Sequence, residues 1–275
     1  MAAAIEGIRT EVDGRGVATV TIDRPDAGNS LTAEMRDGLA ATFDELSANL
    51  GVRVVVLTGA GDRHFCTGAG LGGSQKPGPP RPEGAPDRVP GDVARVIRHG
   101  WQRLIASILD CDKPVLAAVN GTAAGGGANL VLACDLVVMA DTARLIEVFV
   151  RRGLVPDAGA AYLLPRIIGL HRAKEVLFLG DDVSAADCER FGIANRVAPA
   201  ADFAATVDEL AGRLAAAPTR AVSLTKWLVN RSPESGRHSA FEDEAYAQDL
   251  NAATADMGEG MKAFVERRSP EFKGW

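Results

Sequence analysis

The chain has 275 residues, of which 47% are hydrophobic and 24% charged, and its formal net charge is −6. This composition is typical of a soluble globular protein, and the acidic balance excludes a broad basic surface for nucleic acid. No uncharged apolar run reaches the ~20 residues that span a bilayer. Residues 1–16 lack a cationic start followed by an apolar core, so we expect no signal peptide and a cytoplasmic protein.

The first two thirds of the chain alternate between strands and helices, which predicts an α/β core. The β-rich runs are residues 8–12, 17–22, 52–58, 115–119 and 136–140. The helical stretches are residues 32–48, 92–109 and 126–133. In the first helix Thr32 is the expected N-cap, and the apolar residues that recur at helical spacing are Met35, Leu39, Phe43 and Leu46.

The chain beyond Arg172 is predicted to be helical, with Pro199, Pro218 and Pro233 between helices. We therefore divide the chain into a core of residues 1–199 and a helical oligomerisation region of residues 200–275. A proline- and glycine-rich loop at residues 74–91 interrupts the core, and we interpret it as a surface loop or as a lid over the site.

Two glycine clusters are candidates for binding chemistry. Gly68, Gly70 and Gly73 form a G-x-G-x-x-G pattern, but the proline-rich loop follows at once, so no helix can open there as a dinucleotide site requires. The second cluster, residues 125–127, lies between a strand and an apolar helix. Its bare N–H groups suit an anion or a developing oxyanion, and a tight turn with close backbone packing is the alternative.

Five segments in order resemble the enoyl-CoA hydratase/isomerase (crotonase) superfamily. They are Arg24-Pro25 with Asn29-Ser30-Leu31, Phe65 to Ala69, Asn120 to Gly127, Gly153 to Gly159, and the tail from Gly260 to Gly274. Together they span nearly the whole chain, which makes the resemblance far more specific than any one glycine motif.

The resemblance implies a spiral of ββα repeats with a C-terminal helical trimerisation region, assembled as a homotrimer or a dimer of trimers. It also implies an acyl-CoA thioester whose carbonyl oxygen lies between the N–H groups of Ala69 and Gly126. Gly68 and Leu71, beside this oxyanion hole, would bind the substrate or its CoA.

The resemblance further implies that coenzyme A enters as part of the substrate, with no other cofactor. Arg24 and Ala27 would lie near the nucleotide end, and Phe264 and Arg267 would reach the CoA. No group of His, Cys and Asp residues has metal-ligand spacing, so no metal is expected.

The chain departs from the well-known hydratases at their two catalytic glutamates, since the corresponding positions hold Asn129 and Phe149. Asparagine can orient a water or a carbonyl but carries no proton near neutral pH, and phenylalanine can do neither. Both residues are expected to line the substrate site, but the usual two-glutamate addition of water is not available.

Two carboxylates remain nearby. Asp157 lies where some isomerases of the superfamily carry a catalytic aspartate, and the alternative is that it caps the following helix. Glu147 either replaces a missing glutamate or has a surface or structural role.

Three functions follow from these residues. The first is an isomerase that moves a double bond in an unsaturated acyl-CoA, with Asp157 carrying the proton. The second is a hydratase with an unconventional acid or base, and the third is a protein that binds acyl-CoA without converting it.

Overall fold

A computed structural model describes residues 5–70, 82–86 and 89–275. In chain order, its strands are β1 (Ile8–Val12), β2 (Val17–Ile22), β3 (Val54–Gly59), β4 (His64–Cys66), β5 (Val115–Val119), β6 (Thr122–Ala124), β7 (Leu136–Ala140), β8 (Arg144–Ile146), β9 (Asp182–Ser184) and β10 (Arg196–Ala198). The helices are α1 (Ala33–Ala48), α2 (Asp92–Ile97), α3 (Arg103–Leu109), α4 (Gly126–Ala133), α5 (Ala160–Ile168), α6 (Leu170–Leu179), α7 (Ala185–Phe191), α8 (Phe203–Ala215), α9 (Thr219–Arg231), α10 (Arg237–Ala252) and α11 (Ala255–Glu266).

The strands form two sheets, with the orders β1-β2-β3-β5-β7-β10 and β4-β6-β8-β9. Three successive strand pairs, β3/β4, β5/β6 and β7/β8, each place one strand in the larger sheet and the next in the smaller one, and helices follow. Neighbours among these strands pair in parallel within each sheet. This is the predicted spiral of ββα repeats. In the smaller sheet the parallel strands β4, β6 and β8 end along the same edge.

Helix α1 forms as its sequence predicts. The Thr32 hydroxyl accepts a hydrogen bond from the N–H of Met35 at 3.2 Å, which satisfies one of the free donors at the helix start. The four apolar residues predicted to face inward are all buried: Met35, Leu39, Phe43 and Leu46. They join the main core between the larger sheet and helices α1, α3 and α4.

The opposite face of the larger sheet is covered by α8. Leu210 and Ala211 of α8 pack with Val56, Leu116 and Val138 in a second apolar cluster. Every residue of β5 is buried because both faces of its sheet are covered. The boundary predicted at residue 199 therefore separates two parts of the chain that share an apolar cluster.

The expectation that the chain is helical beyond Arg172 is wrong in two places, where β9 and β10 complete the two sheets. Each has three residues, which is too short for an alternating pattern to be read from the sequence. No helix in the described part of the chain is long and apolar enough to cross a membrane.

Two polar contacts order the C-terminal region, the first against the core and the second within the region itself. The Lys226 ammonium of α9 donates to the Asp135 carboxylate at 2.8 Å and to the Ile108 carbonyl at 2.9 Å. In α11 the buried Asp256 carboxylate accepts from the N–H groups of Lys273 and Gly274, at 2.6 and 2.7 Å. The last residues thus fold back onto their own chain.

Replacing Asp256 by Ala is expected to lower the free energy of unfolding by about 1–3 kcal/mol, because two backbone N–H groups lose their acceptor. Urea denaturation would measure the change. Asp249→Ala, on the exposed side of α10, serves as the control and should change stability little. Equal stabilities of the two variants would contradict the anchoring role.

Candidate active site

The two glycine clusters meet at the shared edge of β4 and β6. Gly68 follows β4 with φ at +88°, a conformation that glycine adopts without strain. A Cβ added to Gly68 would lie 2.9 Å from the Ala124 carbonyl oxygen and 3.2 Å from the Gly126 nitrogen. The two segments therefore touch through their backbones, which a larger residue would prevent.

The backbone at Ala69 is held by Leu31. The N–H of Leu31 donates to the Gly68 carbonyl at 2.8 Å, and the N–H of Gly70 donates to the Leu31 carbonyl at 3.0 Å. This parallel bridge turns the N–H of the exposed Ala69 away from Leu31. Within the described residues, no backbone or side-chain group accepts a hydrogen bond from it.

Gly126 is the first residue of α4, and within the described chain its N–H also has no acceptor. The helix start has no side-chain cap, so its dipole adds positive potential at this position. A Cβ on Gly126 would lie 2.5–2.8 Å from the ring of Trp101. The indole therefore covers the Cα of Gly126. Two unpaired N–H groups on adjoining turns can together polarise a carbonyl oxygen.

Asn129 lies on α4, one turn beyond the glycines, and is fully buried. Its side-chain NH2 donates to the Asp157 carbonyl at 3.2 Å, while its amide oxygen has no partner. Phe149 is also buried, with its ring 3.8–3.9 Å from where a Cβ of Gly125 would lie. Asn129 thus holds the Asp157 turn in place, and Phe149 supports the glycine turn.

Asp157 is half-buried in the turn before α5, where Ala158 and Gly159 have φ values of +50° and +85°. Ala158 is an unusual residue for this region, and such strained backbone is common at functional sites. The interpretation of Asp157 as a helix cap is wrong, because α5 is preceded by Gly159 and has no side-chain cap. Burial raises the pKa of the Asp157 carboxyl.

Glu147 follows β8 directly and is fully buried, so a surface role is wrong. Neither carboxyl oxygen has a hydrogen-bond partner. Burial, and secondly the negative charge of Asp157, raise the pKa of Glu147 to about 8. At pH 7 this carboxyl is therefore predominantly neutral. A single glutamate two residues before Phe149 gives no sequence signal of such burial.

The residues expected to hold CoA lie farther out. Arg24 is half-buried, and its guanidinium donates to the Ser30 carbonyl at 3.0 Å. Ala27 is exposed in the following turn, and Phe264 and Arg267 are exposed at the end of α11. Leu71 and most of the 74–91 loop, at 74–81 and 87–88, lie outside the described residues, and so does the interpretation of that loop as a lid.

The Cys66 thiol beside the hole is not poised for reaction. It is fully buried, and burial raises its pKa to about 12, so the thiol stays protonated. Among the described residues, no group of three or more His, Cys, Asp and Glu side chains could hold a metal ion.

The family model "Enoyl-CoA hydratase/isomerase" matches residues 13–275. The chain belongs to the enoyl-CoA hydratase/isomerase family, whose enzymes hydrate or isomerise acyl-CoA thioesters.

Similar proteins include both kinds of enzyme. The 1,2-epoxyphenylacetyl-CoA isomerase of Escherichia coli is 34% identical over 94% of this chain and 96% of its own. The short-chain-enoyl-CoA hydratase of Clostridium acetobutylicum is 30% identical over 97% of each chain. The crystal structure of enoyl-CoA hydratase from Bacillus anthracis superposes with a TM-score of 0.87 at 29% identity, covering 98% of this chain and 100% of that one.

Gly126→Ala is expected to lower turnover of an enoyl-CoA by ~10²–10³-fold, because the new methyl must displace the Trp101 ring or the N–H beneath it. Steady-state kinetics would measure the loss. Gly258→Ala in α11, where a Cβ meets no atom within 4 Å, should leave turnover unchanged. Wild-type rates in both variants would mean that the Gly126 N–H is not part of the hole.

Proposed function

We propose that the protein moves a carbon–carbon double bond in an unsaturated acyl-CoA, with Asp157 as the proton carrier. The observation that carries this proposal is the half-buried carboxylate of Asp157 on a strained turn. The Asn129 side chain links this turn to α4, the helix whose first residue is Gly126. The N–H groups of Ala69 and Gly126 would hold the thioester oxygen.

The reaction balances with one carboxylate. Asp157 removes a proton from the carbon next to the thioester of a 3-enoyl-CoA, and the electron pair moves onto the thioester oxygen as a dienolate. The two N–H donors stabilise that charge. Asp157 then returns the proton to the γ-carbon, which yields the conjugated 2-enoyl-CoA and regenerates the carboxylate.

The environment of Asp157 suits this exchange. A carboxyl whose pKa is raised is a stronger base toward carbon than an ordinary aspartate and still gives the proton back. Asn129 carries no titratable proton, and Phe149 offers no polar atom. Isomerisation needs one proton carrier, whereas hydration by the usual route needs two. The isomerase relative in Escherichia coli also favours rearrangement of an acyl-CoA.

Hydration is the second candidate, and Glu147 is the observation that favours it. A second carboxyl close to Asp157 could hold or activate a water if the backbone after β8 shifted toward the acyl group. The hydratase relatives support this activity. Acyl-CoA binding without conversion is the outcome if neither product forms.

The remaining features belong to the same proposal. Arg24, Ala27, Phe264 and Arg267 would contact the CoA portion of the substrate, and no further cofactor is needed. We place the protein in the cytoplasm as a homotrimer or a dimer of trimers. Its exposed apolar side chains on α10 and α11 support assembly: Phe241, Leu250, Phe264 and Val265.

Asp157→Asn is expected to reduce conversion of 3-hexenoyl-CoA to the conjugated isomer by at least ~10²-fold, since the amide cannot take a proton at carbon. Absorbance of the conjugated thioester, with product identified by mass spectrometry, would measure it. Asp110→Asn, at the exposed end of α3, is the matched control.

Equal rates in wild type and Asp157→Asn would eliminate the role of Asp157. Crotonyl-CoA assayed in the same experiment distinguishes hydration, because loss of its conjugated absorbance reports addition of water. Binding of both thioesters by calorimetry without any product would instead support a binding protein.

A further inference from the structure

Unpartnered polar atoms are concentrated beside the proposed proton carrier. In the part of the chain that the structure describes, four buried side-chain nitrogen or oxygen atoms have no hydrogen-bond partner. Three of them belong to Asn129 and Glu147, and the fourth is Nδ1 of His64. Buried polar atoms are nearly always paired, so such a cluster indicates a functional rather than a packing role.

The backbone fixes Glu147 next to the oxyanion hole. The residue before it, Ile146, accepts a hydrogen bond from the Gly125 N–H at 2.9 Å, and the Gly125 carbonyl accepts from the Asn129 N–H at 3.1 Å. The Asn129 side chain then reaches the carbonyl of Asp157. One short chain of hydrogen bonds therefore joins Ile146, the glycine turn and Asp157, and Glu147 is the next residue after Ile146.

Burial decides what Glu147 can do from this position. Its side chain is 0% exposed, so it reaches neither solvent nor a substrate in the open site, whereas Asp157 is only half-buried. Glu147 can therefore influence the reaction only electrostatically, because its protonation state sets the field at Asp157 and at the hole. Around Glu147, α4 contributes the neutral Asn129, and the turn before α5 contributes Asp157. Arg151 is turned outward to Asp181 and Asp182.

We propose that Glu147 is a positioning residue that stays protonated behind Asp157, so that the site carries one negative charge while the enolate forms. This inference rests on the isomerisation proposed above and adds a second carboxyl to it. If Glu147 ionised, a second buried negative charge would oppose the charge that develops on the thioester oxygen.

The environment of Glu147 sets the pH at which this happens. Its pKa of about 8, raised first by burial and then by Asp157, keeps it neutral through the neutral range. Activity should therefore rise as Asp157 loses its proton and fall again as Glu147 ionises. Between pH 7.5 and 9.5 the fall should be ~25-fold if the doubly charged site is inactive.

The test compares the pH profiles of kcat/KM for wild type, Glu147→Gln and Glu189→Gln, an exposed glutamate of α7. The substrates are 3-hexenoyl-CoA and a phenyl-substituted 3-enoyl-CoA, with rates corrected for spontaneous thioester hydrolysis. Glu147→Gln should stay active and lose the alkaline fall, because a neutral amide of the same shape cannot ionise. Glu189→Gln should keep the fall.

Thermal unfolding supplies a readout without substrate. The folded-state pKa of Glu147 lies above its unfolded value, so the folded protein binds the extra proton and is stabilised at low pH. That stabilisation is complete below about pH 4.5 and is lost as pH rises toward 8. Relative to Glu147→Gln, wild type should lose roughly 5 °C in Tm between pH 5 and pH 7.5.

An alkaline fall and a Tm profile that Glu147→Gln shares with wild type would overturn the inference. A folded Glu147→Gln without activity at any pH would also overturn it, because Glu147 would then transfer a proton itself. Wild-type activity in Asp157→Asn would instead remove the proposed function. If neither thioester turns over, the proposed function fails, and the Tm comparison still tests whether Glu147 is protonated in the folded protein.

Discussion

The parallel pairing of β4 with β6 places two glycine turns in backbone contact, and the proposed chemistry depends on that contact. Gly68 must take a left-handed conformation, and a Cβ at this position would lie 2.9 Å from the Ala124 carbonyl oxygen and 3.2 Å from the Gly126 nitrogen. A side chain there would separate the turns and cover their donors. The spiral of repeats, the apolar α4 and the Trp101 ring over Gly126 all hold this arrangement rigid. Rigid donors need no reorganisation when charge develops on the thioester oxygen.

A hole of this kind stabilises an enolate but moves no proton, so proton transfer falls to the side chains around it. Asn129 links α4 to the Asp157 turn by a hydrogen bond, and the Phe149 ring packs beside Gly125. The proton capacity of the site therefore lies in Asp157 and Glu147, at two different depths. Depth separates their tasks: the half-buried carboxyl can meet a substrate, whereas the fully buried one can only change the electrostatics around it.

Helix α1, the main strands and the two glycine segments could be predicted from the sequence, because helical spacing, apolar runs and five ordered motifs mark them. The short strands β9 and β10 could not, since three residues carry no readable period. The burial of Glu147 was equally hidden. It results from the pairing of β8 with β6 and from α4 packing against β6, which are contacts between separate elements that no local sequence pattern marks. Helix α5 starts at Ala160, so Asp157 is not at its N-cap position. This start depends on the positive φ values of Ala158 and Gly159.

The energetics of Glu147 give it a meaning beyond packing. A buried carboxyl without a partner destabilises a fold even when neutral, by about 1–3 kcal/mol for the missing hydrogen bonds. An apolar residue of similar size at the same place would be more stable. An ionised carboxylate would cost far more, so the fold itself keeps Glu147 protonated. Asp157 is then the carboxyl of the site that ionises more easily. A neutral Glu147 does not reduce the positive potential that the N–H donors present to the enolate. Glu147 thus lowers the stability of the fold at the place where it serves the reaction. Its protonation keeps the loss of stability small and avoids a second negative charge beside the enolate.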